Sequence, residues 1–251
     1  MVSAAWPRPS APRERATSGK NPSVDMTDML AALPLFRQLA AAHIERIAPR
    51  VRERRLSRSE TVFHKGDRPL GLFVVLRGHV KLALVSANGN EKVVELVGAN
   101  QCFGEVAMLT ESAYPYCAQA VRDVALLFVP REVILELLEQ APAFARVMLT
   151  DLARRTQALL QDVETYTQHT SAKRVIGYLH QLCQSTQDPG DSIAVTLPTT
   201  KQIIASRLNL TPETLSRILH DLSEAKLIAV QGRQIRIASR ARLYSYRSEA
   251  C

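Results

Sequence analysis

The sequence predicts an α+β protein built from an antiparallel β-roll, one long helix, and a small C-terminal block of helices that ends in a β-hairpin. Three observations carry that prediction. Short β-rich runs separated by turn residues occupy much of the first half. After Pro142 the chain continues to Ile176 without a Gly or Pro, with apolar residues four and three apart. Beyond residue 199 come two short amphipathic segments joined by a tight turn, then a hairpin signal.

Taken in order, residues 1–25 are Pro-, Arg- and Ser-rich around Trp6-Pro7-Arg8-Pro9-Ser10-Ala11-Pro12. They lack the apolar segment of a signal peptide and are expected to be a disordered tail. Residues 26–140 are expected to form the roll domain. It opens with short helices over 27–49, with Leu30, Leu33, Leu35, Phe36, Leu39, Ile44 and Ile47 as apolar positions and Pro34 as a break. Strands are then predicted at 61–63, 72–76, 80–85, 92–97 and 125–129. The turn signals between them are Gly66-Asp67, Arg77-Gly78, Asn88-Gly89-Asn90 and Gly98-Ala99-Asn100. Asn88-Gly89 is the sharpest hairpin signal. Several short strands at regular spacing indicate an antiparallel roll or barrel.

Residues 141–168 are expected to be one helix. Ala145, Leu149, Leu152, Thr156, Leu159, Val163 and Tyr166 alternate steps of four and three, a heptad seam over about three repeats. Such a seam predicts a partner helix, hence a homodimer. A further helix is predicted over 171–184 and a loop over 186–192.

Charge is unevenly distributed. The chain carries +8 formally, but residues 26–168 hold 17 Lys/Arg against 16 Asp/Glu, while 169–251 hold 11 against 6. The C-terminal block is thus the basic one and polyanions are its expected partners. The four cysteines, Cys102, Cys117, Cys183 and Cys251, show neither disulfide-framework nor metal-site spacing, which suggests a reducing cytoplasm. No apolar run approaches the ~20 residues of a membrane helix. No phosphate-binding loop, nucleophile elbow or metal triad appears, so no enzymatic activity is expected.

Residues 199–219 carry the most chemistry. Thr199 or Thr200 caps a helix with Ile203, Ile204 and Leu208 inward and Ala205 at the close crossing. Asn209 stands where the turn needs a left-handed residue. Thr211 is an N-cap and Pro212 takes the first helical position. The next helix buries Leu215, Ile218, Leu219 and Leu222. Glu213, Ser216, Arg217 and His220 form one polar stripe at i, i+3, i+4 and i+7. An apolar back with a polar front near the N-terminus is what a DNA recognition helix requires. Arg suits guanine and Glu suits cytosine N4–H. Residues 227–237 read as the wing of a winged helix, with Arg233 at its turn. Thr200, Lys201, Thr211, Thr214 and Arg233 complete the candidate DNA-contacting set.

At these residues the chain resembles the cyclic-AMP receptor protein and FNR superfamily (CRP/FNR), over residues 29 to about 245. Thr211-Pro212-Glu213-Thr214-Leu215-Ser216-Arg217 looks like the FNR branch. The resemblance implies that Glu213, Ser216 and Arg217 read a TTGAT half-site within TTGAT-N4-ATCAA. It also implies a homodimer on double-stranded DNA working with RNA polymerase. Within the family the chain is most similar to the Dnr type, denitrification regulators that respond to nitric oxide. The implied effector pocket comprises Gly104, Glu105, Pro115, Tyr116, Thr156, Leu159 and Leu160. Pro115-Tyr116 stands where cyclic-AMP-binding members place an Arg-Ser pair, and Leu159-Leu160 where they place Thr-Ser. The pocket is therefore expected to be apolar, without the charge a cyclic phosphate needs, and cyclic AMP is not expected to bind. No cysteine precedes Cys102, so the family's iron–sulfur cluster is not expected. A haem suits an apolar pocket, with His64, His79, His169 and His180 as candidate ligands; no metal ligand is assigned. A cyclic-nucleotide-responsive or effector-independent regulator stays open.

Overall fold

The computed structural model describes residues 25–86, 91–184 and 192–246. The expected tail over 1–24, the Asn88-Gly89 hairpin tip and most of the loop over 186–192 lie outside the described residues.

Two short helices, α1 (Met26–Ala32) and α2 (Ala41–Ile47), open the chain, and Asp25 caps α1 by accepting from Thr27 N. The roll strands are β1 (Arg52–Leu56), β2 (Thr61–Phe63), β3 (Gly71–Arg77), β4 (Val80–Val85), β5 (Glu91–Val97), β6 (Cys102–Phe103), β7 (Cys117–Ala120) and β8 (Val124–Pro130). They make two four-stranded antiparallel sheets, ordered β1-β8-β3-β6 and β2-β7-β4-β5. The five strands expected from sequence are all present. Three others were not legible, and β1 is the instructive one. Its sequence, Arg-Glu-Arg-Arg-Leu, is polar because it lies at a sheet edge and buries only Leu56.

Aromatic rings fill the roll. Phe63 stacks on Tyr114 at 3.6 Å between centroids, and Phe73 lies 5.2 Å from both Phe103 and Phe128. The roll is closed by approaches that leave no room for a side chain at two glycines. A Cβ at Gly71 would meet Val129 O at 2.2 Å, and Gly78, at φ +92°, would meet Asp123 O at 2.7 Å.

A short helix α3 (Glu105–Leu109) interrupts the sheets, and α4 (Arg131–Gln140) packs on the roll. Helix α5 (Pro142–Gln168) follows, 27 residues long and within one residue of expectation. Its first two turns are anchored by buried Phe144 and Met148, in one cluster with Phe36, Ile134 and Leu137. The C-terminal block holds α6 (Ser171–Gln184), β9 (Ile193–Thr196), α7 (Lys201–Arg207), α8 (Pro212–Glu224), β10 (Ile228–Gln231), β11 (Gln234–Ile237) and α9 (Arg240–Ser245). Its sheet runs β10-β11-β9, and it has its own core around Val175, Ile204, Leu215, Leu219 and Ile237. No helix of the described residues is long and apolar enough to cross a membrane.

Candidate nucleic-acid interface and sensor site

The turn between α7 and α8 forms as the residues dictate. Thr200 caps α7 by accepting from Ile203 N, and Asn209 adopts φ 56°. Thr211 Oγ1 accepts from Thr214 N at 3.2 Å, with Pro212 in the first turn. Glu213, exposed beside Thr211 at the start of α8, is held below the usual carboxylate range by its backbone N–H and that hydroxyl. Leu215, Ile218, Leu219 and Leu222 are buried, whereas Glu213, Ser216, Arg217 and His220 are all exposed. The polar stripe therefore faces outward from a helix whose back is fixed in the domain core. Gln231 pairs with Gln234, so Gly232-Arg233 forms a two-residue turn with Gly232 at φ 62° and Arg233 exposed. Thr200 and Thr211 are exposed, and Lys201 and Thr214 half-buried.

The second site lies where α5 leaves the roll. Gly104 takes φ +92° and starts α3, which carries Glu105 inward to 1% exposure. Arg155 reaches across from α5. Its guanidinium donates to Glu105 Oε1 at 2.7 Å and to Cys102 O, and stands 3.4 Å from Asp151 and 3.9 Å from Glu95. Among the described residues Glu105 Oε2 has no hydrogen-bond partner. Burial raises the Glu105 carboxyl above the ordinary carboxylate value, and Arg155 opposes the rise. Burial likewise raises the Tyr116 hydroxyl, with Glu105 and Glu95 adding to the shift.

The cyclic nucleotide-binding domain model matches residues 53–141, and the Crp-like helix-turn-helix domain model matches residues 173–246. A global nitrogen regulator of Synechococcus elongatus is 31% identical over 208 residues, 82% of this chain and 91% of that protein. The chain belongs to the CRP/FNR family of transcription regulators. Within the family, the cyclic AMP receptor protein of Thermus thermophilus is 28% identical over 195 residues, 78% of this chain and 88% of its own length. The structure of FixK2 from Bradyrhizobium japonicum superposes with a TM-score of 0.70 at 21% identity, over 80% of this chain and 99% of that one, a likeness of fold. The Dnr type expected from sequence is not what these likenesses single out.

As a member of the CRP/FNR family, the chain departs from the expected effector pocket in three ways. The structure brings Gly104, Glu105 and Tyr116 together. Pro115 is exposed, as are Thr156, Leu159 and Leu160, which lie on the outward side of α5 while Arg155, Asp162 and Tyr166 turn toward this chain. The pocket is not apolar. Arg155 puts a guanidinium beside Glu105, hemmed by three carboxylates. Nor do the residues present fit a haem. The wall is ionic, and the four candidate histidines lie on separate elements. His64 and His169 are exposed, His79 sits beside Arg122, and His180 pairs with Gln184 in the winged domain. No cluster of three or more His, Cys, Asp or Glu among the described residues has metal-site form.

The expected seam lies along α5. Leu149, Leu159 and Val163 are 66%, 59% and 60% exposed, and Thr156 is exposed, as positions awaiting a partner should be. Ala145 and Leu152 are half-buried. Tyr166 has a second role: its hydroxyl donates to Arg207 O at 2.5 Å and accepts from Arg207 Nη1 at 2.6 Å. The hydroxyl is thus committed within its own chain, and Lys92 Nζ lies 4.9 Å from the ring centre.

Proposed function

We propose that the protein acts as a homodimer that reads an FNR-like palindrome, TTGAT-N4-ATCAA, through α8. The exposed stripe of Glu213, Ser216, Arg217 and His220 on a buried apolar back carries the proposal, since base edges in a major groove require such a face. Thr200, Lys201, Thr211, Thr214 and Arg233 flank it as phosphate contacts that set register without reading sequence. The partner is a second copy, because Leu149, Leu159, Leu160 and Val163 leave an apolar band on a helix already anchored at its other end. RNA polymerase is the protein partner such a regulator addresses. The relatives' role, global nitrogen regulation, supports genes of nitrogen metabolism, denitrification included, as the first targets to test.

Effector sensing belongs to the Glu105–Arg155 site. An effector fitted to it brings a hydrogen-bond donor to Glu105 Oε2, the buried acceptor that lacks one. The residues there do not support nitric oxide sensing through haem.

Fluorescence anisotropy on a labelled TTGAT-N4-ATCAA duplex and a scrambled duplex of equal length tests the reading. Specific over non-specific binding by at least about 10³-fold is expected. Equal affinity for both duplexes overturns it.

A further inference from the structure

The helix-turn-helix is not capped by its own residues alone. A helix leaves its last four carbonyls without intrahelical donors. At the C-terminus of α7, those of Ser206 and Arg207, with Leu208 O and Asn209 O just beyond, find donors on three other elements. Lys92 Nζ, on roll strand β5, donates to Ser206 O at 2.5 Å. Tyr166, on α5, donates to Arg207 O at 2.5 Å. Arg174, on α6, donates to Leu208 O at 3.0 Å and Asn209 O at 3.1 Å.

Around this cap the winged domain grips the roll. β5 is the edge of its sheet, and edge strands have free backbone groups. Ser206 Oγ takes the place of a missing strand, accepting from Val93 N at 2.9 Å and donating to Glu91 O at 3.1 Å. Arg207 bonds Asp162 of α5 at 2.6 Å, and Lys92 Nζ lies 4.9 Å from the centre of the Tyr166 ring. The other end of β5 carries Glu95, which faces Arg155 in the sensor site. Asp162 sits seven residues beyond Arg155 on α5, on the same side of the helix. Two rigid elements thus run from the sensor site to the turn that aims α8.

Resting on the dimeric DNA-binding reading above, we infer that the clasp of Lys92, Tyr166 and Asp162 on Ser206 and Arg207 holds each winged domain at a fixed angle to its own roll. Sensor-site changes reach the recognition helix through it. A held pair of domains presents both α8 helices together, and the second half-site then binds as an intramolecular event. A loosened pair pays to orient the second domain.

The test compares wild type with Lys92→Met and Tyr166→Phe, none of these being DNA-reading residues. Palindrome affinity is expected to fall about tenfold in each variant, while affinity for a single TTGAT half-site duplex stays constant. Lys92→Arg restores it. Hydrogen exchange supplies a readout that needs no DNA. The Val93 amide donates to Ser206 Oγ, and its protection is expected to fall in Lys92→Met while that of the β3 amides does not. Unchanged palindrome affinity, a rise instead of a fall, or an unprotected Val93 amide in wild type overturns the inference. Failure of wild type to prefer the palindrome over scrambled DNA would instead sink the DNA-target reading and leave the Val93 result to judge the clasp.

Discussion

Removing Arg155 isolates a buried charge, and the consequence can be worked from the geometry. Of the three carboxylates around the guanidinium, Glu95 and Asp151 keep 35% and 42% of their side-chain surface and hydrate when it leaves. Glu105 keeps 2% and cannot. In Arg155→Met the buried carboxylate therefore carries the loss. Breaking a buried pair by removing one partner costs about 3–5 kcal/mol, and the 19% exposure of Arg155 favours the lower end, about 3 kcal/mol. The cost depends on pH. The Glu105 carboxyl already titrates above its ordinary value because burial outweighs its cation, and without that cation it rises further. A raised acid pKa means that the folded state binds the proton more readily than the unfolded chain. Stability then falls as pH rises from the unfolded value, about 4.3, through the folded one. Urea unfolding followed by circular dichroism should show Arg155→Met clearly less stable than wild type at pH 8 and much closer to it at pH 5. Adding Glu105→Gln should recover most of the loss at pH 8, because no buried charge is then left unpaired. An equal deficit at both pH values, with no recovery in the double variant, would refute the reasoning.

Three further outcomes follow from the same geometry. Arg217→Ala, exposed and clear of the domain core, should weaken binding to the palindrome by about 1–3 kcal/mol and relax preference at one base pair; anisotropy showing equal loss on every sequence would reduce Arg217 to a phosphate contact. Leu159→Glu or Val163→Glu puts a charge on the exposed apolar band and should yield folded monomers without specific DNA binding, which sedimentation with intact dimers would contradict. Cyclic AMP should fail to bind in the micromolar range by calorimetry. The ground is not the apolar pocket expected from sequence but a net negative one, in which Arg155 is committed to Glu105, Asp151 and Glu95; tight binding would show that the phosphate can draw Arg155 away.

Legibility tracked the range of the interactions. The helix-turn-helix could be read residue by residue because its signals are local: a Thr-Pro start, an Asn with φ 56°, an apolar stripe beside a polar one. Strands rich in Val, Leu and Phe were legible for the same reason, whereas β1 and β7 are strands because of what they pair with. Arg155 was invisible because its partners Glu105 and Glu95 are 50 and 60 residues away in sequence, and nothing in the helix marks which of Arg146, Arg154 and Arg155 turns inward. A signal existed all the same. Asp151, Arg155, Asp162 and Tyr166 recur at steps of four, seven and four, a second helical stripe beside the apolar one. Spacing alone marked Tyr166 as an apolar seam position and gave no hint of the bond its hydroxyl makes to Arg207 O.

Those two stripes give α5 its place in the mechanism. One face clasps its own chain through Arg155 at the sensor site and through Asp162 and Tyr166 at the turn of the DNA-reading domain. The neighbouring face leaves Leu149, Leu159 and Val163 for a second copy. A packed helix cannot turn one face without carrying the others. On the proposed function, a ligand that changes what Arg155 bonds acts on the apolar band of α5 and on the α7 cap at once. In the proposed mechanism dimerisation, sensing and aiming are a single rotational setting of one helix, and the variants at Arg155, Val163 and Lys92 probe that setting from its three ends.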